Sequence, residues 1–362
     1  MPNHTASHAR KRELLIDAFL IDDNSDCYVI AEIGHNHQGD LEKAKELFRQ
    51  AKECGANAVK LQKRDNRSLF TAAMYNKPYD HEHSFGKTYG EHREFLEFGM
   101  DEYLELKRYA AEIGITFFAT AFDFVSANFL AELDMPAYKI ASGDLKNIPL
   151  IKHVAQFQKP VIVSLGGGTI EDAQRVYDAV MPINPRLAFL HCTATYPTVA
   201  EEINLRVITT LRERFPEIVI GLSDHYNGIA MAVGAYVLGS RIIEKHFTLN
   251  HTWKGTDHAL SLEPIGMRRM VRDLRRIRLA LGDGVKRVYP SEESAMFKMG
   301  KSLVAARDLP RGHRLTWQDI AIKSPAQGLP PFEIDRIIGK TLRHALAADE
   351  PILFEDIGEV SE

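Results

Sequence analysis

The sequence has 362 residues, 45 lysines and arginines against 49 aspartates and glutamates, and a formal net charge of −4 at pH 7. The length suffices for two ordinary domains or for one barrel with a small extra module, and the interspersed charges give no sign of a nucleic-acid partner or a membrane-binding face. Its three cysteines, Cys27, Cys54 and Cys192, stand far apart without a C-x-x-C pair, which argues against a disulfide framework and indicates a reducing compartment, for which we expect the cytoplasm.

Residues 1–26 begin basic and then become briefly apolar. Asp17, Asp22 and Asp23 interrupt the apolar stretch before it reaches the length of a signal peptide, and no stretch of the chain is long enough to span a bilayer. We therefore expect a surface extension over residues 1–26, with a short strand in FLI (19–21).

Eight short apolar runs follow, each rich in Val, Ile, Leu and Phe. The runs are YVIAEIG (28–34), NAVKLQK (57–63), TFFATAFD (116–123), AYKIASGD (137–144), PVIVSLG (160–166), LAFLHCT (187–193), IVIGLSDH (218–225) and RIIEKHFT (241–248). Helix-period stretches lie between them, for example at 40–56, 101–114, 169–180 and 264–282. Eight such units within residues 27–284 fit a (β/α)8 TIM barrel better than an open doubly wound sheet, so we predict an α/β fold of that type.

The pattern of apolar runs alternating with helix-period stretches ends after the barrel region. Residues 285–300 have the character of a linker, and residues 301–362 give short β-type pieces that Pro and Gly interrupt. We predict a small β-rich module over residues 301–362, compact enough to be only marginally stable alone.

In a TIM barrel the chemistry lies at the carboxyl ends of the strands. The polar residues at those ends are Glu32, Lys60, Gln62, Thr120, Lys139, Ser142, Asp144, Ser164, Thr193, Ser223, His225, Lys245 and His246. Charged groups that converge on one mouth need a charged ligand or a metal ion to offset them.

Two lysines, Lys60 and Lys139, lie inside otherwise apolar strands, where an unpaired ammonium is costly. Together with hydroxyl side chains at neighbouring strand ends, they form a set of donors suited to a ligand that carries phosphate and carboxylate. An internal salt-bridge network with Glu32 and Asp144 is the alternative, and the two interpretations are compatible when the site is empty.

His225 and His246 end consecutive strands, so a closed barrel would bring their imidazoles toward one ion. Two histidine ligands would leave positions open for substrate and water. The alternative is that each is a hydrogen-bonded structural histidine.

Three other motifs give weaker signals. SLGGGT (164–169) precedes a helix, but it has neither the lysine of a P-loop nor the spacing of a dinucleotide fingerprint, so we reject ATP and NAD. His191 and Cys192 are adjacent on a strand and therefore point to opposite faces, which makes Cys192 a packing residue. Asp257 lies in the loop after the eighth strand, and the sequence alone leaves its role open.

The order of the motifs IAEIGHNHQGD, AVKLQ, FFATAFD, YKIASGD, VIVSLGG, HCTATYP, GLSDH, EKHFT and GTDHALSLEP resembles that of the sialic acid synthase family. The tail KSLVAARDLPRGHRLTWQDIAIKSPAQG resembles the antifreeze-like (SAF) domain of the same family. The resemblance extends over nearly all of the chain after residue 26, and the ordered set is specific although each motif singly is not.

This resemblance implies a phosphoenolpyruvate-dependent nonulosonate synthase, a transferase that condenses phosphoenolpyruvate with the open-chain aldehyde of a hexosamine such as N-acetylmannosamine and releases phosphate. It implies a divalent metal, Mn²⁺ in the first place with Mg²⁺ or Co²⁺ as alternatives. A domain-swapped homodimer, with the SAF domain over the partner's active site, is also implied.

The resemblance also implies roles for individual residues. It makes His225 and His246 the metal ligands. It implies phosphoenolpyruvate contacts from Lys60, Thr120, Lys139, Ser142, Ser164 and Ser223. Gln62, Asp144, Tyr196 and Asp257 are expected around the sugar. Glu32, Asp144, Lys60 and Lys139 are expected at the reacting centre, with Glu32 or Asp144 handling the proton of the attacking water.

Two positions depart from the family pattern. Ala194 stands where relatives often have Asn, so one phosphate contact is absent or comes from Thr195, and Ser324 stands where an Arg of the SAF loop often reaches the sugar's N-acetyl group. The acceptor therefore stays open, and legionaminate, pseudaminate and deaminated nonulosonate synthases remain alternatives. The long polar segment 75–95 is a further candidate for shaping acceptor choice.

Two other classes of protein are weighed against this one. Another phosphoenolpyruvate-using barrel, such as an octulosonate or heptulosonate phosphate synthase, is disfavoured by the SAF-like tail. A non-catalytic sugar-binding protein is disfavoured because binding alone does not require two interior lysines opposite two histidines.

Overall fold

The computed structural model describes residues 11–358. The first ten residues of the expected N-terminal extension and the last four of the expected small module lie outside the described residues. The chain divides into two compact units between Gly282 and Asp283.

A closed barrel of eight parallel strands forms the first unit. The strands are β3 (Tyr28–Gly34), β4 (Ala58–Lys63), β5 (Thr116–Ala121), β6 (Tyr138–Ile140), β7 (Val161–Ser164), β8 (Leu187–Cys192), β9 (Val219–Asp224) and β10 (Ile242–His246). Each strand pairs with the next in sequence, and β10 closes the ring against β3. The predicted TIM-type α/β fold and the number of its strands are thus confirmed.

Helices connect and cover the strands. They are α1 (Leu41–Glu53), α2 (Asn66–Leu69), α3 (Ala72–Tyr75), α4 (Tyr89–Phe95), α5 (Met100–Ile113), α6 (Phe124–Glu132), α7 (Ile148–Ala155), α8 (Ile170–Val180), α9 (Ala200–Ile203), α10 (Val207–Arg214), α11 (Ala230–Val237) and α12 (Pro264–Leu281). Helix α1 begins where the Asp40 carboxylate accepts a hydrogen bond from the Lys43 amide, and α5 ends at Gly114 with a φ of 69°. These ends match the Asp and Gly positions in the sequence. None of the helices in residues 11–358 combines the length and hydropathy that a bilayer crossing requires.

The barrel interior has an apolar layer near the strand starts and a polar layer near the strand ends. Ala58, Phe118, Ile162, Val219 and Ile242 belong to the apolar layer. Two residues further along four of these strands the inward side chains are polar, namely Lys60, Thr120, Ser164 and Glu244. On β9 the corresponding residue is Gly221, and the polar side chain comes two residues later, at Ser223. The period of two along a strand therefore separates the part that stabilises the barrel from the part that faces its mouth.

An antiparallel hairpin, β1 (Glu13–Ile16) and β2 (Phe19–Asp22), precedes the barrel. The expectation of a surface extension is wrong for these residues, because Leu14, Ile16 and Ile21 are buried in the same cluster as the inward apolar side chains of the barrel. The reason is the alternation along β1, in which Leu14 and Ile16 point to one face and the exposed Leu15 to the other. The face of Leu14 and Ile16 is apolar and is buried against the barrel. The hairpin closes the end of the barrel opposite to its mouth.

The second unit is small and rich in irregular structure. Within the predicted linker, a helix, α13 (Glu293–Met299), precedes the antiparallel strands β11 (Ser302–Ala305) and β12 (Ile320–Lys323), and a further helix, α14 (Ile334–Ile337), follows. Its core contains Leu303, Leu315, Ile337, Leu342, Leu346 and Ile352. Both the small module and its β-type pieces were predicted from the sequence.

Candidate active site

The polar layer at the carboxyl ends of the strands opens into a cavity of about 570 Å³. Its walls include most of the residues singled out in the sequence, namely Glu32, Lys60, Gln62, Thr120, Lys139, Ser142, Ser164, Tyr196, Ser223, His225, His246 and Asp257. They come from all eight strands or the loops that follow them, which explains how residues far apart in sequence reach one cavity.

Four charged side chains form a buried quartet at the floor of this cavity. Lys60 Nζ lies 2.6 Å from Glu32 Oε2 and 3.8 Å from Glu244 Oε2. Lys139 Nζ lies 3.6 Å from Glu244 Oε1. Glu244 is therefore shared between the two lysines, and the quartet is electrically balanced without a ligand.

The expected partner Asp144 is not part of this network. Its carboxylate accepts a hydrogen bond from Asn147 Nδ2 at 3.2 Å, and its side chain does not line the cavity. Asp144 belongs to a short 3-10 turn, Ser142–Asp144, which follows β6. In the alternative interpretation of the sequence, Glu32 and Asp144 paired with the two lysines; in the structure Glu32 and Glu244 do so.

Glu244 was missed although the sequence contained the same signal that identified the lysines. It is a charged residue inside the apolar run RIIEKHFT, directly before Lys245 and His246. The structure separates these neighbours by the pleat of β10. Lys245 points away from the cavity and donates to Asp224 Oδ2 at 2.8 Å, whereas Glu244 and His246 point into it.

The two glutamates of the quartet differ in their pKa. Burial, reinforced by the nearby Glu244 and only partly offset by Lys60, raises the pKa of Glu32. Burial also acts on Glu244, but the attraction of Lys139 and Lys60 outweighs it and lowers the pKa of Glu244. Two adjacent carboxylates whose environments move their pKa values apart are suited to different tasks, Glu32 to proton transfer and Glu244 to permanent charge.

Hydroxyl side chains surround the two lysines. Lys60 donates to Thr120 Oγ1 at 2.7 Å, and Lys139 donates to Ser164 Oγ at 2.6 Å. Ser223 donates to Glu244 Oε1 at 3.0 Å. A ligand with several anionic oxygens would find both ammonium groups and these hydroxyls on one surface.

His225 and His246 meet at the other side of the cavity, with ring centroids 5.5 Å apart. His225 Nδ1 lies 3.0 Å from the carbonyl oxygen of Thr193, so it carries the hydrogen and leaves Nε2 as the acceptor nitrogen. Burial, followed by the neighbouring His246, lowers the pKa of His225 to about 4, and burial also lowers the pKa of His246. Both rings are neutral at pH 7, the form in which imidazole binds metals.

One nitrogen atom of the pair His225 and His246 lacks a hydrogen-bond partner among the described residues, which supports the binding of a divalent cation there. His246 Nδ1 is buried, finds no hydrogen-bond partner within residues 11–358, and lies 3.9 Å from Asp257 Oδ2. In the same described part of the chain, no three His, Cys, Asp or Glu side chains converge as closely as the ligands of a structural metal site do. A pair of imidazoles with an adjacent carboxylate and open positions fits a catalytic ion that is completed by substrate or water.

Cys192 lies beside two cavity residues, Ser142 and His225, while His191 contacts the main chain of Ile203. His191 Nε2 contacts the carbonyl oxygen of Ile203, whereas Cys192 Sγ lies 3.5 Å from Ser142 Oγ and 3.8 Å from His225 Nδ1. Burial raises the pKa of the Cys192 thiol, which keeps it protonated. The prediction that this pair faces opposite sides of the strand is correct, and the cysteine packs beside the site.

Tyr196 and Asp257 lie toward the opening of the cavity. The ring of Tyr196 lies over His225, with centroids 4.1 Å apart. Ala194 lines the cavity, but the hydroxyl of Thr195 is directed to Thr198 Oγ1 at 3.3 Å and does not replace a missing side chain there. Ser324 lies in the second unit, where its hydroxyl donates to the carbonyl oxygen of Met299 at 3.3 Å.

Two arginines of the cavity wall had no place in the sequence analysis. Arg64 follows β4 by one residue, and Arg93 lies on α4, within the long polar segment 75–95. Lys60, Gln62 and Arg64 alternate along β4 and its end, so Arg64 lies on the same inward face as Lys60. This spacing could have identified Arg64 from the sequence. Arg93 reaches the cavity because of the way in which the long segment between β4 and α5 folds, and no short-range sequence pattern predicts such a fold.

Comparison with known proteins gives a consistent family assignment. The sequence profile of the NeuB family matches residues 47–286, and that of the SAF domain matches residues 300–358. The N-acetylneuraminate-9-phosphate synthase of Homo sapiens is 43 % identical over 330 residues, which cover 91 % of this chain and 92 % of the human protein. The N,N'-diacetyllegionaminic acid synthase of Legionella pneumophila is 34 % identical over 337 residues, which cover 91 % of this chain and 94 % of that protein.

A solved structure agrees with these sequence relatives. The N-acetylneuraminic acid synthetase of Leptospira borgpetersenii, in complex with citrate, is 32 % identical and superposes with a TM-score of 0.69. The alignment covers 80 % of this chain and 96 % of that protein. This solved structure therefore agrees with the family assignment that the sequence relatives give.

Proposed function

The chain belongs to the NeuB family and is a transferase of the sialic acid synthase type, and from this premise we propose that it condenses phosphoenolpyruvate with the open-chain aldehyde of an N-acetylated hexosamine. C3 of the enol forms a bond to the aldehyde carbon, water adds to C2, and the C2–O bond to phosphate breaks. The products are a 2-keto acid lengthened by three carbons and inorganic phosphate. The proposal includes a cytoplasmic location, for which the three free cysteines are the support.

The observation that carries this proposal is the shared carboxylate of Glu244 between two buried lysines. Lys60 and Lys139 are each 2 % exposed, and a scaffold role alone does not require two cations in the centre of a barrel. Phosphoenolpyruvate carries a phosphate and a carboxylate on adjacent carbons. Two ammonium groups with hydroxyl donors between them match that distribution of charge.

Charge balance supports both a metal ion and a change in protonation. The quartet is neutral in the empty protein, so phosphoenolpyruvate would bring an excess of negative charge into a buried space. A raised pKa suits the ionised Glu32 to take up the proton that the attacking water releases, after which it no longer forms an ion pair with Lys60. The remaining charge calls for a cation.

We propose that His225 and His246 hold that cation, with Mn²⁺ preferred over Mg²⁺ or Co²⁺, and that Asp257 lies next to it. When bound, the ion supplies positive charge beside the carbonyl oxygen of the acceptor and makes its carbon more electrophilic. Tyr196 covers His225 from the solvent side, which helps to exclude water.

Glu32 is the proposed proton acceptor for the water that attacks C2. It lies at the floor of the cavity, accepts a hydrogen bond from Gln62 Nε2 at 2.7 Å and contacts Lys60. Gln62 therefore fixes the carboxylate between the phosphoenolpyruvate lysines and the acceptor side of the cavity. Asp144, the other candidate from the sequence, has no such position.

A homodimer, in which the SAF domain of one chain covers the active site of its partner, completes the proposal. Its support is the family membership together with exposed apolar side chains in the second unit, among them Val288 at 73 % and Phe332 at 79 % exposure. Light scattering at working concentration is expected to give the mass of a dimer. A stable monomer would remove this part of the proposal.

The reaction is tested by acceptor-dependent phosphate release. Purified protein with Mn²⁺ and phosphoenolpyruvate is incubated with a panel of N-acetylated hexosamines, with and without a phosphate on C6, and the product is identified by mass spectrometry. We expect a product mass equal to acceptor plus pyruvic acid, and no phosphate release without acceptor. Absence of acceptor-dependent phosphate release across the panel would contradict the proposal.

A further inference from the structure

A buried ion pair lies on the outer face of the barrel, next in the chain to the two cavity histidines. Asp224 on β9 and Lys245 on β10 are register partners across the two parallel strands, and Lys245 Nζ lies 2.8 Å from Asp224 Oδ2. Both side chains are buried. His225 follows Asp224 and His246 follows Lys245, so the alternation along each chain directs the ion pair outward and the imidazoles into the cavity.

This ion pair interrupts an apolar layer. On the outer face of β9, Leu222 precedes Asp224, and on that of β10, Ile243 and Phe247 lie on either side of Lys245. Leu222, Ile243 and Phe247 all belong to the hydrophobic cluster between the barrel and its helices. An ion pair in such surroundings adds little to stability, because the cost of desolvation offsets the attraction and apolar residues of similar volume often serve the fold equally well. Stability alone therefore does not account for the two charges.

The hydrogen bonds of the ion pair fix the main chain beside His225. Asp224 Oδ1 accepts from the amide of Tyr226 at 2.9 Å, and the Lys245 ammonium donates to the carbonyl oxygen of Tyr226. The peptide groups on both sides of Tyr226 are thereby held, and the first of them joins His225 to Tyr226. The backbone of His225 therefore cannot rotate without breaking a hydrogen bond to Asp224. An apolar pair of side chains could form neither of these bonds.

The ion pair is also the last contact in the pairing of the two strands that lead to the histidines. β10 pairs with β3 as far as His246 and Glu32, whereas its pairing with β9 ends at Lys245 and Asp224. His225 lies just beyond the end of this pairing. The position of the His225 backbone relative to that of His246 therefore depends on the link that Asp224 and Lys245 form.

Resting on the metal site of the proposed function, we propose that the Asp224–Lys245 ion pair is a positioning device that holds His225 and His246 where both imidazoles can bind one divalent ion. The ring centroids lie 5.5 Å apart. Ligands of a metal site must be held within about 0.5 Å of the productive geometry, and residues that support the ligands contribute roughly 10- to 100-fold in metal affinity. Asp224 and Lys245 point away from the cavity, so they act only through the backbone that carries the ligands.

The test compares two variants of the full-length protein. Asp224→Asn keeps an oxygen for the Tyr226 amide but leaves the Lys245 ammonium unpaired, so it should lower Tm. The double variant Asp224→Leu with Lys245→Met is apolar and of similar volume, so its Tm should match or exceed that of the unmodified protein. We expect the Kd for Mn²⁺, from an electron paramagnetic resonance titration without substrate, to rise about 10- to 100-fold in both variants.

The contrast between stability and affinity in the double variant is decisive. If it recovered both the Tm and the Mn²⁺ Kd of the unmodified protein, the ion pair would serve the fold alone and the proposal would be wrong. An unchanged Kd in Asp224→Asn would overturn it as well. Asp134→Asn is the control, because it breaks an ion pair with Lys159, 2.8 Å long, that precedes β6 at the end of the barrel opposite the mouth. It should keep the Kd of the unmodified protein within about twofold.

A crystal structure of the double variant separates this proposal from the proposed function. Compared with crystals of the unmodified protein, we expect the rings of His225 and His246 to change their separation or to occupy more than one position. An unchanged arrangement of the rings would overturn the positioning role even with the metal site confirmed. If the unmodified protein bound no Mn²⁺, the metal site of the proposed function would be wrong, and the ring positions would still decide whether the ion pair places the two histidines.

Discussion

The carboxylate of Glu244 lies 3.6 Å from the ammonium of Lys139, although β10 and β6 stand on opposite sides of the barrel. Their side chains therefore meet across the full width of its interior. Lys60, from β4, joins the same carboxylate at 3.8 Å. One residue thus connects three walls of the mouth and holds the charges that the proposed substrate would engage.

Glu244→Gln should destabilise the empty protein and increase its response to phosphoenolpyruvate. Removal of one partner from a buried ion pair leaves uncompensated charge and costs about 3 kcal/mol. An anionic ligand restores the balance, so phosphoenolpyruvate should raise Tm more in the variant than in the unmodified protein. Thermal unfolding with and without phosphoenolpyruvate measures both effects.

The matched control for this prediction is Glu201→Gln, which changes an exposed glutamate on the short helix α9. It should leave Tm and the ligand response unchanged, because exposed substitutions of this kind have small effects. A Glu244→Gln protein as stable as the unmodified one would mean that the quartet does not contribute to the folded state as described.

The barrel and much of the site were predictable because they depend on local patterns. Lys60 and Lys139 are conspicuous as charges in apolar strands, and the strand ends identify His225 and His246. The partner of a charge is harder to predict, since Glu244 reaches Lys139 only because the barrel closes and brings β10 opposite β6. Arg93 depends on how a long segment folds, and no period of two or 3.6 describes such a segment.

Replacement of either cavity histidine should remove metal binding. His225→Gln and His246→Gln each remove a neutral imidazole, and a ligand contributes more than the roughly 10- to 100-fold in affinity that outer partners contribute. Mn²⁺ bound after dialysis, measured by atomic emission and by electron paramagnetic resonance, provides a readout independent of activity. His191→Gln is the control, because His191 is also buried but contacts the carbonyl oxygen of Ile203 away from the cavity. Unchanged Mn²⁺ binding in both cavity variants would refute the assignment.

The N-terminal hairpin should contribute to the stability of the barrel. Ile16 is fully buried against the barrel interior, so Ile16→Ala is expected to lower the free energy of unfolding by about 2 to 4 kcal/mol. Leu15→Ala changes the adjacent residue, which is 55 % exposed, and should change the free energy of unfolding by less than about 0.5 kcal/mol. Urea unfolding followed by far-ultraviolet circular dichroism compares the two. Equal effects would show that the hairpin does not close the barrel in solution.

The stability of the second unit should depend on pH through Asp319. This carboxylate is 1 % exposed and accepts from Arg307 at 2.6 Å, His313 at 2.9 Å and both the amide and hydroxyl of Thr316 at 2.9 and 2.7 Å. Burial opposes ionisation, but these hydrogen bonds outweigh it and lower the pKa of Asp319 below its usual value. A lowered pKa in the folded state means that the stabilisation is fully present above the unfolded value, about 3.9, and is lost as the pH falls below it.

Trp317 allows this dependence to be followed in the intact chain, because only two tryptophans are present and Trp253→Phe leaves Trp317 as the sole reporter. We expect its unfolding midpoint in urea to be constant from pH 7 to about pH 5 and to decrease below about pH 4. Asp319→Asn should lower the midpoint at pH 7 and flatten the decrease, because an amide has one acceptor oxygen for these donors. Asp335→Asn, at an exposed position, should retain the behaviour of the unmodified protein. An equally steep decrease in Asp319→Asn would assign the pH dependence to other groups.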